Sequence, residues 1–396
     1  MPETKTGLPG WVGALFASHF LGFGLFLPFF PLVLEARGLT VDEIGFVLGL
    51  STVVRIAANP VLTNLSDRTG RRRISIFAYS VLSGVFLGGF AATSGITSAW
   101  VTVAGLMAFW SPIVPLCDAY ALDVVRNTGA DYARMRLWGS VAFVVANLVG
   151  GWLVSVGSPL LLVAGLAVSV LSTGVVAICL PGQASRHEEE QAGPDKPAAV
   201  FRSPWFIAVL WIGGLLQATH AAYYGFSTIY WVSAGIDKLS IGSLWAIGVV
   251  AEIALFYVAK RLNTRFGPLQ FLMIAAGGSI VRWGLFPFAE DLVAIAALQI
   301  LHAISFGAAH LGAVSLLSKV VPRKWSATGQ GLLSTSSGLQ LALGLAICGP
   351  LYNLNPGYPF WVMALAAAVA LAALLLLRPL LTAKLQAEGD RLSGGS

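Results

Sequence analysis

Arg55, Asp118, Arg136, Glu252 and Arg282 all stand inside long apolar stretches, as do His220, His302 and His310. A charge at such a position costs about 3 kcal/mol or more unless it faces a cavity or pairs with another group. The chemistry open to these residues is therefore narrow: binding a polar small molecule, carrying a proton, or coupling the two. Glu252 is the most isolated by sequence, in LWAIGVVAEIALF, with apolar residues for more than a helical turn on each side. It belongs to Gln217–Phe256, two apolar runs flanking a polar turn at Gly235–Ser240.

Asp118 follows Pro112 and Pro115 in WSPIVPLCDA, and Arg136 follows Tyr132 and Arg134 in YARMRLWGS. The prolines break the helical ladder, which is tolerated where the freed groups face protein or water. A tight hairpin between the two segments would bring Asp118 and Arg136 to similar depth. The pair suits a substrate site, a static ion pair, or an Arg136 that snorkels to the interface. Gln217, His220 and Tyr224 have i, i+3, i+7 spacing, one face of a helix. With Tyr223 beside them they suit an aromatic or amphipathic ligand, or an interhelical hydrogen-bonded face. Glu252, Arg282 and His302 fall on three successive spans and could relay a proton. An arginine that approaches or leaves a buried carboxylate changes its proton affinity, although a static Glu252–Arg282 pair fits the same residues. Gln330, Ser334 and Ser337 share a face that reads as helix packing rather than ligand contact.

The elements that must position these groups are transmembrane helices. The chain of 396 residues is 57% hydrophobic and only 11% charged, with a mean hydropathy of +0.79. Twelve apolar stretches recur, at roughly 11–34, 43–63, 74–93, 99–122, 137–156, 159–180, 204–233, 240–260, 269–289, 292–319, 328–350 and 358–377, each near the length a spanning helix needs. No alternating pattern suggests a transmembrane barrel. The first stretch, studded with Pro28 and Pro31, reads as a helix rather than a removed signal. Cys117, Cys179 and Cys348 lie in spans and give neither a disulfide framework nor metal spacing.

The net charge of +6 is explained by its distribution. Arg68, Arg71, Arg72 and Arg73 follow span 2, Arg126 and Arg134 span 4, Arg186, Lys196 and Arg202 span 6, and Lys260, Arg261 and Arg265 span 8. Lys319, Arg323 and Lys324 follow span 10, and Arg378, Lys384 and Arg391 span 12. The alternate loops hold only Arg37 and Lys238. The positive-inside rule then puts both termini in the cytoplasm. The expected organisation is a six-helix half over 1–180, a flexible cytoplasmic linker over 181–203, a second half over 204–380 and a cytoplasmic tail over 381–396. The halves also repeat: Gly38, Gly45, Arg55 and Gly70 recur as Gly235, Gly242, Glu252 and Gly267, each offset by 197. Such repeats are how many secondary transporters are built, and the offset would aim Arg55 and Glu252 at one interface.

The loop after span 2, TNLSDRTGRR, resembles the loop motif of the major facilitator superfamily at Asp67, Arg68, Gly70, Arg71 and Arg72. Thr63 stands where the family usually has Gly. The resemblance implies two halves that rock about a central site, with Asp67, Arg68, Gly70 and Arg71 as a conformational latch. Asp118 with Arg136 is similar to the acid–arginine pair of lactose permease-like symporters. Glu252, Arg282 and His302 match their proton-coupling residues, while Ser305 replaces the acid expected one turn past the histidine. The stretches SPIVPLCDA, RLWGSVAFV, HAAYYGFSTIYW, LWAIGVVAE, VRWG and LQILH resemble the 3-phenylpropionic acid transporter family of bacteria. That resemblance runs from Leu21 to Arg378 and implies proton-coupled uptake across the inner membrane.

The expectation is an all-α, twelve-helix symporter, not an enzyme, for a small organic substrate such as an aromatic monocarboxylate. Asp118, Arg136, Arg55, Gln217, His220, Tyr223 and Tyr224 would bind substrate, and Glu252, Arg282 and His302 would couple protons. Trp110, Trp138 and Trp245 would add to the ring-lined wall. The proton gradient is the expected energy source, with no cofactor, metal or nucleic-acid partner, in a monomer within the bilayer. A sugar or nucleoside symporter and a proton-driven efflux antiporter for amphipathic compounds remain the alternatives. A membrane enzyme or receptor lacks a nucleophile elbow, P-loop or metal-spaced cluster, and buried opposite charges in a repeat disfavour a channel.

Overall fold

A computed structural model describes residues 7–157, 159–182, 201–262, 265–321 and 325–393. The described residues are helical throughout, with short turns and no strand. The helices are α1 (Leu8–Ala36), α2 (Val41–Thr69), α3 (Arg72–Ala92), α4 (Ile96–Trp110), α5 (Ile113–Thr128), α6 (Tyr132–Ser155) and α7 (Pro159–Cys179). They continue as α8 (Pro204–Ala218), α9 (Ala221–Ser233), α10 (Lys238–Leu262), α11 (Pro268–Leu285) and α12 (Leu292–Ile300). A π-helical segment, Ala303–Ala308, leads into α13 (Ala309–Val320), followed by α14 (Ser326–Leu354) and α15 (Tyr358–Ser393). Twelve of the resulting spans are long and apolar enough to cross a membrane. Three are built from broken helices: α4 with α5, α8 with α9, and α12 through α13.

The breaks follow local chemistry. Pro112 and Pro115 interrupt hydrogen bonding between α4 and α5, as the prolines dictate. Between α8 and α9 the chain turns at Thr219–His220, with no proline or glycine to announce it. The Thr219 hydroxyl donates back to the Leu216 carbonyl at 2.7 Å. The expected face of Gln217, His220 and Tyr224 is lost, because no continuous helix carries all three. The π turn in the tenth span follows His302 and contains Ser305; such bulges often mark functional positions.

The chain divides into two units. One comprises Met1–Glu189 and Tyr224–Ala246. Its most buried helix is α1, packed against α6 and α7, with α2 on α4 and α3 on α7. Residues 238–242 join this unit through a close crossing of α10 on α6. A Cβ at Gly242 would stand 2.3 Å from the Asn147 carbonyl oxygen, and one at Gly151 would stand 2.9 Å from the Lys238 carbonyl. The other unit comprises Glu190–Tyr223 and Ile247–Ser396. There α8 packs on α14 and α15, and α11 on α13, α15 and the π segment. Phe206, Leu216, Phe271, Leu272, Leu316 and Leu374 lie in its core. The Ser336 hydroxyl donates to the Leu210 carbonyl at 2.9 Å, and Gln340 Nε2 to the Trp211 carbonyl at 3.3 Å. So polar packing of α14 on α8 uses these two residues, which neighbour the Gln330, Ser334 and Ser337 face without belonging to it.

The 197-residue repeat has a backbone counterpart. Gly38 and Gly235 both close turns in the left-handed region, at φ +85° and +82°. Gly70 is left-handed at φ +63°, whereas Gly267 is an extended N-cap at −76°, so the likeness stops at the basic loop. Residues 183–200 of the expected linker lie outside the described residues.

Candidate functional site

Two groups of polar side chains are built into the spans, one in each unit. The larger centres on Arg282, which is fully buried and lies in the last turn of α11 rather than at mid-span. Its guanidinium donates to Gln299 Oε1 at 2.8 Å and to Ser305 Oγ at 3.0 Å, and its NH1 is 3.0 Å from His302 Nδ1. Gln299 Nε2 in turn donates to the Tyr223 hydroxyl at 2.7 Å. The guanidinium carbon lies 4.7 Å from the Tyr223 ring centroid and 4.3 Å from that of Trp283. His302 Nε2 stands 3.4 Å from Glu252 Oε2. His302 therefore sits between the carboxylate and the arginine that the sequence paired directly.

Hydrogen-bond polarity assigns both imidazoles. An arginine has donors and no acceptor, so His302 Nδ1 must present its lone pair and Nε2 must carry the proton. Glu252 Oε2 faces that nitrogen at 3.4 Å. His220 Nδ1 lies 3.2 Å from the Gln217 carbonyl, so its proton is on Nδ1. Its Nε2, 3.3 Å from Ser305 Oγ, then accepts from the serine hydroxyl. Ser305 thus relays from Arg282 to His220. The residue that stands where an acid was expected acts as a neutral junction. Gln299, His302 and Ser305 are spaced three apart, and this stripe was the signal by which Gln299 could have been found.

The smaller group lies in the first unit. The Tyr132 hydroxyl donates to Asp118 Oδ1 at 2.8 Å. Arg136 forms no ion pair with Asp118; its guanidinium carbon lies 3.9 Å from the Phe20 ring centroid and 5.5 Å from that of Phe16. The expected acid–arginine pair is replaced by a cation on aromatic faces, because Tyr132 at the start of α6 reaches the carboxylate first. Gly139, one turn on, leaves room: a Cβ there would stand 2.8 Å from Phe20 Cδ2 and 2.9 Å from Arg136 NH1. His19 and Trp110 pack beside Phe20, Phe23 and Phe26.

The remaining candidates fall elsewhere. Arg55 is half-buried on α2 and forms no ion pair, hydrogen bond or ring contact among the described residues. Tyr224 stacks on Trp245, whose indole donates to Thr228 Oγ1 at 3.1 Å. Trp138 is 58% exposed and lies against α1 at Gly13, where a Cβ would stand 2.7 Å from its Cδ1. In the loop after α2, Arg72 bonds Asp67 at 3.2 Å and also pairs with Asp123, which Arg126 approaches at 3.6 Å. Asp67 pairs with Arg72 rather than with Arg68 or Arg71. Among the described residues no cluster of His, Cys, Asp and Glu could hold a metal ion.

Twelve spans among the described residues, three of them broken, with ionisable groups inside them in each unit, are the layout of a transporter of the major facilitator type. Its fold matches a crystal structure of the nucleoside transporter NupG with a TM-score of 0.76, at 16% identity, over 93% of this chain and 98% of that one. The chain belongs to the MFS_1 like family, which it matches over residues 14–363. It is 32% identical to the "Probable 3-phenylpropionic acid transporter" of Escherichia coli (strain K12), over 91% of this chain and 96% of that protein. It is 27% identical to the maltose permease of Geobacillus stearothermophilus, over 80% of each. The chain is thus a multi-pass membrane transporter.

Proposed function

We propose that this transporter takes up a small aromatic monocarboxylate, such as a 3-arylpropanoate, with protons. It works in a bacterial inner membrane with both termini in the cytoplasm, as the basic loops require. One observation carries the substrate: Arg136 is held against the faces of Phe16 and Phe20 and, among the described residues, closes no ion pair, its neighbour Asp118 being bonded to Tyr132 instead. A guanidinium so placed offers an acid its charge and an arene its neighbouring rings. The named relative in Escherichia coli supports the same substrate class. Asp118, turned to Tyr132, positions α5 against α6 at that site. Arg55 is a second cation available to an anionic substrate.

Glu252 is the proton carrier in this reading. His302 Nε2 faces it at 3.4 Å, and Arg282 occupies Nδ1. An imidazolium at His302 would set two cations in contact, so the proton goes to the carboxylate. Affinity of one site for substrate and of the other for protons are then linked reciprocally, as any coupled pair must be. Purified protein in liposomes, given an inward-acid-free and an outward-acid pH gradient in turn, should accumulate labelled 3-phenylpropionate only when the outside is acidic. Accumulation that survives a protonophore would sink the symport, and accumulation of maltose or a nucleoside in preference would sink the substrate class.

A further inference from the structure

The aromatic group of the first unit contains two buried nitrogens with nothing to bond. His19 is 4% exposed and Trp110 is 2% exposed, yet His19 Nδ1 and Trp110 Nε1 have no hydrogen-bond partner. Their rings lie 5.6 Å apart. Phe20, Phe23 and Phe26 pack around them from α1, and Phe143 joins Phe23 from α6. A buried polar atom without a partner carries an uncompensated desolvation cost, and native interiors hold few of them. Two such atoms on rings 5.6 Å apart, in a wall otherwise made of rings, mark a place where a ligand group completes the bonding.

The two nitrogens select that group. The indole N–H can only donate, while a neutral imidazole nitrogen can accept. A single hydroxyl oxygen accepts from Trp110 and donates to His19. A methyl, a halide or a second carboxylate cannot serve both. The placement also fits the anchor. Phe20 is 3.9 Å from the Arg136 guanidinium carbon and 5.3 Å from the His19 ring, so charge and imidazole lie no more than about 9 Å apart. That is the scale separating the carboxylate of an arylpropanoate from a hydroxyl on its ring.

We propose that His19 and Trp110 form a subsite for a ring hydroxyl, so that the preferred substrate is a hydroxylated 3-arylpropanoate. The proposal rests on the reading of Arg136 as the carboxylate anchor. It adds a specificity element that charge alone does not supply, because a site with a paired donor and acceptor rejects the analogue lacking the hydroxyl.

Equilibrium binding of 3-phenylpropionate and 3-(4-hydroxyphenyl)propionate to the full-length protein in detergent tests this. Wild type should bind the hydroxylated acid about tenfold more tightly, the worth of one well-placed hydrogen bond. His19→Phe should abolish that preference, and His19→Asn, which keeps an acceptor, should retain part of it. Arg136→Gln should weaken both acids alike. Equal affinity of wild type for the two acids, as a trapped water at His19 would give, overturns the subsite, as does an unaltered preference in His19→Phe. The wild-type comparison stands even where a variant fails to fold. Binding of neither acid overturns the anchor and the subsite together, whereas loss of the subsite alone leaves the Arg136 effect intact.

Discussion

Arg282 holds His302 in one tautomer. Its NH1 is 3.0 Å from Nδ1, and since a guanidinium only donates, the imidazole proton is confined to Nε2. The histidine that the sequence offered as a proton site thereby turns its N–H side, Nε2, toward Glu252 Oε2 at 3.4 Å.

Glu252→Gln keeps an oxygen for the His302 Nε2 proton and removes the titrating group. Gradient-driven accumulation of 3-phenylpropionate should disappear, while exchange of labelled for unlabelled substrate across the same liposomes should persist. The pH dependence of accumulation would vanish with it. Normal accumulation by this variant would remove Glu252 from the mechanism.

Gln299 is neutral and lies in a stretch that reads as plain helix, yet it is fully buried between Arg282 and Tyr223. Gln299→Leu is close in volume and strips a partner from both. Leaving polar atoms unmatched in the interior costs about 1–3 kcal/mol. The melting temperature of the purified protein should fall by several degrees, more than for Gln340→Leu, whose side chain lies at the edge of α14 and α8. An unchanged melting curve would mean that the network relaxes around the gap.

The spans were legible because a bilayer imposes a length and an apolar composition that no other solvent demands, and the Gly38 and Gly235 turns kept their offset in the backbone. Partner choice inside the spans was less legible. Asp118 and Arg136 are correctly placed on neighbouring helices, but which side chain reaches a carboxylate depends on rotamers at the start of α6, and Tyr132 is nearer. The face of Gln217, His220 and Tyr224 failed because the break at Thr219–His220 has no proline or glycine. Ser305 was seen as a missing acid, when its hydroxyl is what joins Arg282 to His220. Composition can locate an ionic group in a span; it does not say which neighbour turns toward it.

The crossing of α6 and α10 offers a contrast between two glycines. A Cβ at Gly242 would lie 2.3 Å from a backbone oxygen of Asn147, which cannot swing aside as a side chain would. Gly277 has nothing within 4 Å of the same position. Gly242→Ala should force the two helices apart and lower the melting temperature, whereas Gly277→Ala should be neutral or slightly stabilising, as alanine favours a helix interior. Similar behaviour of the two variants would show that residues 238–242 do not hold this close packing.

Phe20 separates an anchoring role for Arg136 from a structural one. Phe20→Leu keeps an apolar side chain of similar reach but removes the π face on which the guanidinium rests, an interaction worth about 0.5–2 kcal/mol. If Arg136 is preorganised by that ring to receive a carboxylate, the variant should bind 3-phenylpropionate several-fold more weakly with its melting temperature nearly unchanged. Arg136→Lys should lose more, because an ammonium neither stacks nor bonds a carboxylate in a bidentate fork. If Arg136 instead serves only to tie α6 to α1, Phe20→Leu should lower the melting temperature while leaving the dissociation constant where it was. Measuring both quantities on both variants decides between the two, and the second outcome would withdraw the cation on which the substrate assignment depends.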